Sequence, residues 1–176
     1  NSYRNPSYLT KVASNIDVMS NGRLEFAIGA GWYDQEYKSY GYEYPSDGTR
    51  LKMLEEALLI YIEMTTKEKA TFKGKYYSID NAINQPKPIQ KPYPPLWVCG
   101  GGEKVTLKLL AKYGDYGNWD VDHEGFEKKS DILLNIAYEN DILIITDNLA
   151  KYYAVNPQNG ELIWSKTNST PINSQI

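Results

Sequence analysis

Two glycine-rich turns, each directly after a short apolar strand, constrain this chain more than any other feature. The first strand and turn span residues 24–31 and lead into Trp32; the second span residues 96–102 and lead into a predicted helix. Strands that alternate with helices indicate parallel βα units and an α/β fold. A glycine turn before a helix exposes backbone N–H groups at a helix end with partial positive charge. The sequence therefore predicts a site for a phosphate-bearing cofactor.

Apolar periodicity predicts the helices that surround these strands. The buried face expected for a helix over residues 6–20 consists of Leu9, Val12, Ala13, Ile16 and Met19. A second helix is expected to have Asp47 as its N-cap, with Glu55 and Glu56 facing solvent. Both helices are predicted to pack on the strands through their apolar faces.

The middle of the chain predicts a hairpin and further βα units. Residues 70–79 read as two short strands around Gly74, which is typical of a tight hairpin. A proline-rich run then forces an extended path into the strand at residues 96–99. Glu103 is expected to open a helix that Gly114 ends, and a strand at residues 116–119 and a helix over 122–134 are predicted to follow.

The pattern changes after residue 134. Residues 142–145, 152–155 and 162–164 are short apolar segments separated by turns rich in Asp, Asn and Gly. The turn at residues 156–160 is typical of a connection between antiparallel strands. The predicted organisation is therefore an α/β unit over residues 1–134 and a short antiparallel β segment over residues 135–176.

Composition excludes several classes of function. The 176 residues carry a net charge of −3 without a basic stripe, so a nucleic-acid partner is not expected. Cys99 is the only cysteine and His123 the only histidine, which excludes an internal disulfide and a zinc site of several Cys and His ligands. No apolar run reaches the roughly 20 residues of a transmembrane helix. The chain opens on Asn1 without a leader, and we expect it to be cut from a longer protein.

Residues 3–134 resemble the central part of the luciferase-like monooxygenase family, the flavin- or deazaflavin-dependent enzymes related to bacterial luciferase. The matching segments are DVMSNGRLE at 17–25, GAGWY at 29–33, PLWV at 95–98 and GGGE at 100–103. The resemblance implies a TIM (β/α)₈ barrel, of which this region would supply about three βα units. It also implies an oxidoreductase or monooxygenase that acts on a small molecule, with FMN or a deazaflavin (coenzyme F420) as cofactor. This subgroup leans towards the deazaflavin.

The resemblance and the turn chemistry together assign the cofactor-binding residues. These are Gly29, Gly31, Trp32, Gly100, Gly101, Gly102 and Glu103, with Thr106 as an additional phosphate contact. The alternative for the triple glycine is a tight connection whose glycines only permit close packing. Trp32 is either a face for the cofactor ring and the substrate or a loop anchor packed on the rim.

Other polar and aromatic residues receive weaker assignments, and no catalytic residue or metal ligand is assigned. Glu36 is expected to be an exposed helix glutamate rather than an acid or base. Trp119 is either a pocket wall or a core residue, and Cys99 is expected to be a small core residue. His123 is expected to be an exposed residue near a helix start. The tyrosines expected to form a hydrophobic substrate wall are Tyr33, Tyr37, Tyr40, Tyr42 and Tyr44.

Residues 136–176 resemble a different protein family from residues 3–134. DNLAKYYAV at 147–155 and NGELIW at 159–164 resemble one blade of a quinoprotein-like β-propeller of the outer-membrane assembly lipoprotein type. One blade cannot close a propeller. We therefore expect two unrelated coding fragments to join near Leu134 and Asn135, and the enzyme-like part to be inactive by itself.

Two alternatives to an enzyme stay open at this point. One is a non-catalytic chimeric fragment, whose exposed strand edges would drive self-association. The other is a β-propeller module for envelope assembly or protein interaction. The enzyme-like part is expected in the cytoplasm and away from membranes, whereas the tail family would be periplasmic or bound to the outer membrane.

Overall fold

The computed structural model describes residues 2–138, 144–146, 151–155 and 162–167, and the side chains of residues 2–136. The elements in chain order are α1 (Pro6–Met19), β1 (Phe26–Gly29), α2 (Asp34–Ser39), α3 (Asp47–Thr66), β2 (Lys69–Lys73), β3 (Ser78–Ile83), β4 (Leu96–Cys99), α4 (Thr106–Tyr113), β5 (Tyr116–Asn118), α5 (His123–Tyr138), β6 (Ile144–Thr146), β7 (Lys151–Val155) and β8 (Leu162–Thr167). None of these helices combines the length and the apolar character needed to cross a bilayer.

A parallel sheet of order β1-β4-β5 organises the first part of the chain. Phe26 pairs with Leu96, and Val98 pairs with Gly117. Because the three strands are parallel, their carboxyl ends and the turns that follow them meet at one edge of the sheet. The predicted α/β architecture of repeated βα units is confirmed in this region.

The core lies between this sheet and the helices α3 and α4. The rings of Phe26 on β1 and Tyr61 on α3 stack with their centroids 4.6 Å apart. Tyr61 also donates its hydroxyl to the Pro94 carbonyl at 2.9 Å. The buried residues of this core are Ala13, Phe26, Ile28, Leu54, Ala57, Leu58, Tyr61, Leu96, Val98, Leu107, Leu109 and Leu110. These contacts fix the strand ends that carry the glycine turns.

Helix α1 turns inward a face that only partly matches the one its apolar residues predict. Its buried residues are Pro6, Thr10, Ala13, Ser14 and Asp17. Of the predicted face, Ala13 is buried and Leu9 packs on the core, but Ile16 and Met19 are exposed, so the prediction is only partly correct. Internal hydrogen bonds make the polar face possible: Thr10 and Ser14 donate to carbonyls four residues earlier, and Asp17 accepts from Gln90.

Two details of helix α3 also differ from the prediction. Ser46 is the N-cap, because its hydroxyl accepts from the Thr49 N–H, and Asp47 is the first helical residue. Glu56 is half-buried instead of facing solvent. Its carboxylate accepts three backbone N–H groups from residues 75–77 at 2.7–2.9 Å. The carboxylate therefore ties the tip of the hairpin to the helix.

The predicted hairpin is confirmed as the antiparallel pair β2–β3. The Gly74 N–H donates to the Tyr77 carbonyl at 2.9 Å and closes its turn. Buried Ala70 joins Ile60 and Met64 of α3 in a small second core. The hairpin is therefore docked on α3, away from the parallel sheet.

The later elements shift their bounds relative to the prediction. Helix α4 begins at Thr106, so Glu103 lies in the preceding turn, while Gly114 follows the last helical residue as expected. Helix α5 runs from His123 to Tyr138 and spans position 134. The division into residues 1–134 and 135–176 stays a prediction.

Beyond α5, the strands β6, β7 and β8 form an antiparallel sheet in that order. Ile145 pairs with Tyr153, which in turn pairs with Ser165. These strands match the short apolar segments of the tail in sequence. The predicted turn at residues 156–160 lies outside the described residues.

Candidate functional site

A cleft of about 560 Å³ opens at the carboxyl ends of β1, β4 and β5. Its lining residues are Gly29, Ala30, Gly31, Trp32, Asp47, Arg50, Leu51, Cys99, Gly100, Gly101, Thr106, Asn118, Trp119 and Asp120. Both glycine turns therefore face one space. Five of the seven predicted cofactor-binding residues line it; Gly102 and Glu103 do not.

The three glycines after β4 differ in the state of their N–H groups. The Gly100 N–H donates to the Asn118 carbonyl at 2.7 Å, which continues the pairing of β4 with β5. This N–H is already used, contrary to the expectation that all three glycines expose their amides. The N–H groups of Gly101 and Gly102 have no partner among the described residues. Two donors therefore remain at this turn.

Thr106 adds a side-chain donor to the same turn. It is the first residue of α4, is only 5% exposed and lines the cleft. Its hydroxyl has no hydrogen-bond partner among the described residues. A Cβ atom at position 102 would lie 2.9 Å from Thr106 Oγ1, so glycine is needed there to leave the hydroxyl its space. The turn thus combines two N–H groups and one hydroxyl.

Helix α5 supports this turn with a lysine that the sequence did not point to. Lys129 Nζ donates to the Gly101 carbonyl at 2.6 Å and lies 3.4 Å from Glu103 Oε1. Lys128 reaches the same carboxylate at 3.6 Å. The hydrogen bond from Lys129, followed by the charge of Lys128, lowers the pKa of the Glu103 carboxyl. Glu103 is therefore an ion-pair partner of α5.

Arg50 holds the other glycine turn. Its Nε donates to the Gly31 carbonyl at 3.3 Å, and Nη2 donates to Asp47 Oδ1 at 2.7 Å. The guanidinium also donates to the Pro45 carbonyl and lies 3.9 Å from the centre of the Tyr44 ring. Arg50 is buried and lines the cleft. It fixes the loop between β1 and α3, a role that its position in an amphipathic helix did not reveal.

The luciferase-like monooxygenase family model matches residues 1–127, which is most of the chain. The chain belongs to the luciferase-like monooxygenase family. The region of the match contains both glycine turns and every residue that lines the cleft. The resemblance read from the motifs is thereby confirmed for this region.

Three relatives illustrate the range of the luciferase-like family. The pyrimidine monooxygenase RutA of Variovorax paradoxus (strain S110) is 31% identical over 114 residues, which cover 63% of this chain and 30% of the relative. The FMNH(2)-dependent dimethylsulfone monooxygenase of Pseudomonas putida is 23% identical over 111 residues, with the same two coverages of 63% and 30%. The solved structure of an F420-dependent secondary alcohol dehydrogenase, in complex with an F420-acetone adduct, is 30% identical in sequence and has a TM-score of 0.58. The match covers 72% of this chain and 40% of the dehydrogenase chain.

This luciferase-like chain matches only part of each relative. It spans about a third of the length of the curated relatives that it matches. The family match ends at residue 127. The comparisons lend no support to the resemblance of residues 136–176 to a propeller blade.

Trp32, in the luciferase-like motif after β1, stands at the mouth of the cleft. Its side chain is 82% exposed, with its ring 5.2 Å from that of Tyr33, so it is not packed as a rim anchor among the described residues; its role towards a cofactor stays a prediction. The backbone at this position is nevertheless fixed, because the Tyr44 hydroxyl donates to the Trp32 carbonyl at 2.7 Å. An exposed indole on a fixed backbone leaves a flat apolar face beside the cleft.

The tyrosine cluster does not form a wall of the cleft, contrary to the prediction. Tyr37 is buried, with its ring 4.4 Å from that of Tyr3 and 4.8 Å from that of Tyr44. None of the five predicted tyrosines lines the cleft. Tyr37, Tyr40 and Tyr42 instead contact the Tyr3 ring, and Tyr33 contacts Trp32. Only Tyr37 is buried, and its hydroxyl lies beside Gly31.

The remaining candidates divide between the cleft and the surface. Trp119 lines the cleft and packs on Phe126 at 5.7 Å, so the pocket and core interpretations both apply. Cys99 also lines the cleft, and burial raises the pKa of its thiol. Glu36 accepts the Tyr3 hydroxyl at 2.8 Å away from the cleft, and exposed His123 lies 3.2 Å from Glu127.

Metal ligands were not predicted. In the part of the chain that the structure describes, no group of three or more His, Cys, Asp or Glu side chains is arranged to hold a metal ion.

Proposed function

We infer that the cleft holds a phosphate-bearing flavin or deazaflavin, FMN or coenzyme F420, for an oxidoreductase that acts on a small molecule. The observation that carries this proposal is the set of unpartnered donors at one turn: the N–H groups of Gly101 and Gly102 and the hydroxyl of Thr106. They precede or begin α4, where the helix end attracts an anion. The phosphate would accept from Gly101 and Thr106, which line the cleft, and from the adjoining N–H of Gly102, which does not line it.

The local geometry fits such a group. Cβ atoms at positions 101 and 102 would meet Trp119 and Thr106 at 3.0 and 2.9 Å, so the glycines keep the turn open. Thr106 is 5% exposed and has no other partner among the described residues. The Thr106 hydroxyl is accessible from the cleft, so a bound phosphate would replace solvent as its hydrogen-bond partner.

Both FMN and F420 are candidates, because relatives that use each of them are similar to this chain. The dimethylsulfone monooxygenase is FMNH(2)-dependent, and the secondary alcohol dehydrogenase is F420-dependent. A bound flavin or deazaflavin supplies hydride or oxygen chemistry, while the protein binds and orients it. In this chain, Gly29, Gly31 and Trp32 would border the ring, and Arg50 would keep their loop in place.

We expect the chain by itself to bind the cofactor without turnover. It spans 30% of the length of the RutA relative, so most of a barrel pocket has no counterpart here. Substrate choice and proton transfer would depend on residues outside this region. This chain would therefore bind the cofactor, whereas catalysis would require a complete barrel.

Titration of the chain with FMN and with riboflavin, followed by fluorescence, tests the proposal. Thr106→Val should weaken FMN binding about tenfold or more, since a hydrogen bond to a charged group contributes about 1.5–3 kcal/mol. It should leave riboflavin binding unchanged, because riboflavin lacks the phosphate. Coenzyme F420 and its phosphate-free deazaflavin alcohol form a second pair for the same measurement.

Thr10→Val is the matched control, because Thr10 is equally buried but lies on α1 away from the cleft. It should bind FMN or F420 as the wild type does. Absence of binding to both phosphate-bearing cofactors by the wild-type chain would refute the proposal.

A further inference from the structure

We propose that Lys129 positions the triple-glycine turn for an anionic group and adds its positive charge to that site, an inference that rests on the proposed function. Lys129 belongs to α5, and both α4 and β5 lie between the turn and this helix in the chain. Ile132, Leu133 and Ile136 of the same helix pack against the main core. The base of the lysine side chain is therefore held in place.

The side chain of Lys129 passes closely beneath Gly101. It is 15% exposed, and its Nζ donates to the Gly101 carbonyl at 2.6 Å. A Cβ atom at position 101 would lie 3.0 Å from Lys129 Cε. Glycine at position 101 is thus what allows the lysine stem to lie against the turn. The lysine is shielded from solvent by the backbone that it supports.

The hydrogen bond to Gly101 also determines where the next N–H points. In a planar trans peptide, the carbonyl of Gly101 and the N–H of Gly102 point in opposite directions. Lys129 draws the carbonyl towards α5 and so turns the Gly102 N–H away from α5. Successive glycines would otherwise sample many backbone conformations, at an entropic cost on binding. Lys129 therefore prepares one of the two free donors.

The charges around the turn favour an anion. Lys128 and Lys129 share a single carboxylate, that of Glu103, at 3.6 and 3.4 Å. Within this group of three side chains, two lysines against one carboxylate leave one excess positive charge at the turn. The cleft is also lined by Asp47, which pairs with Arg50, and by Asp120. Because Lys129 is largely buried, its charge is screened by salt less than that of exposed Lys128. The buried lysine is the one that we expect to act on a phosphate.

The test is the affinity of the full chain for FMN and riboflavin, and for F420 and its phosphate-free alcohol, in lysine variants. Lys129→Met should weaken FMN or F420 binding about tenfold and leave the phosphate-free partner unchanged, since charge-assisted contacts are the strong ones. Lys129→Arg should restore most of the affinity. Lys128→Met is the matched control and should change the affinity by less than about twofold.

Two results for Lys129→Met would overturn the inference and leave the proposed function intact. An equal loss of affinity for riboflavin and for FMN would mean that the lysine has a purely structural role. An unchanged affinity for FMN would mean that it has no role at the site. Failure of the wild type to bind any phosphate-bearing cofactor would overturn the proposed function and this inference together.

Discussion

At the scale of single residues, the two glycine turns place different demands on their glycines. Gly31 has a φ of +85°, and a Cβ atom there would lie 2.0 Å from Tyr37 Oη. Gly102 has no positive φ and is limited only by the nearby Thr106 hydroxyl. The first glycine is required by the backbone conformation and by buried Tyr37, whereas the second is limited by the space that the Thr106 hydroxyl occupies.

Gly31→Ala should lower the free energy of unfolding by about 2 kcal/mol or more, because the side chain clashes with buried Tyr37 and the left-handed backbone is strained. The control is Gly48→Ala, at an exposed position of α3 where a Cβ atom meets nothing within 4 Å. It should stabilise the protein by about 0.5–1 kcal/mol through helix propensity. Urea unfolding of both variants measures the difference, and equal stability of Gly31→Ala and wild type would contradict the clash.

Asp115 offers a pH test at the start of β5. Its carboxylate accepts the Leu96 N–H at 2.8 Å, and burial raises its pKa above the ordinary value of 3.8. The folded state therefore holds the proton to higher pH than the unfolded state does. The resulting penalty is absent below pH 3.8 and grows as the pH rises through the folded pKa.

Asp115→Asn should remove this penalty and keep an acceptor for Leu96, so its stability relative to wild type should increase as the pH rises above 3.8, the ordinary Asp pKa. Asp115→Ala removes the same carboxyl but also leaves the Leu96 N–H without its partner, so it should be about 1–3 kcal/mol less stable than Asp115→Asn at every pH. Thermal melts across a pH series give both values. A constant difference between Asp115→Asn and wild type would contradict the raised pKa.

At the scale of elements, the sequence predicted most helices and strands but not all of the faces that they bury. Strand β4 and the end of α4 were predicted correctly because apolar runs and glycines mark them locally. The polar part of the inward face of α1 was missed, since Thr10, Ser14 and Asp17 become buried only through hydrogen bonds, one of them to distant Gln90. Periodicity of apolar residues contains no information about such partners.

The site shows the same division between local and distant information. Both glycine turns and Thr106 were identified from local sequence. Arg50 and Lys129 were missed, because their partners, the carbonyls of Gly31 and Gly101, lie 19 and 28 residues away in sequence. Only the packing of α3 and α5 on the sheet brings these side chains to the turns.

The docking of the hairpin on α3 depends on one carboxylate. Glu56→Gln should lower the free energy of unfolding by about 1.5–3 kcal/mol, because it weakens three charge-assisted hydrogen bonds to residues 75–77. Hydrogen exchange at these three amides should increase at the same time. Glu55→Gln, which affects only a 3.3 Å contact with the Tyr113 hydroxyl, is the control and should change stability by less than about 0.5 kcal/mol. Unchanged exchange in Glu56→Gln would contradict the role of the carboxylate.

At the scale of the whole molecule, the described parallel sheet has β1 and β5 at its two edges. Open strand edges template pairing with other chains. We expect the chain to self-associate as its concentration increases, and sedimentation velocity over a concentration series measures this. A monomer at every concentration would contradict it and would mean that the edges are protected.

The position of the boundary between the two predicted parts can be tested by truncation. The predicted junction at Leu134 and Asn135 falls within α5, and Ile136 beyond it packs against the main core. A chain ending at Tyr138 should keep the free energy of unfolding of the helix-sheet unit, whereas one ending at Leu134 should lose about 1 kcal/mol, the value for partial burial of an isoleucine side chain. Urea unfolding followed by tryptophan fluorescence compares the two. If both truncated chains unfold at the same midpoint, the last turn of α5 contributes nothing to the core, and the boundary belongs at position 134.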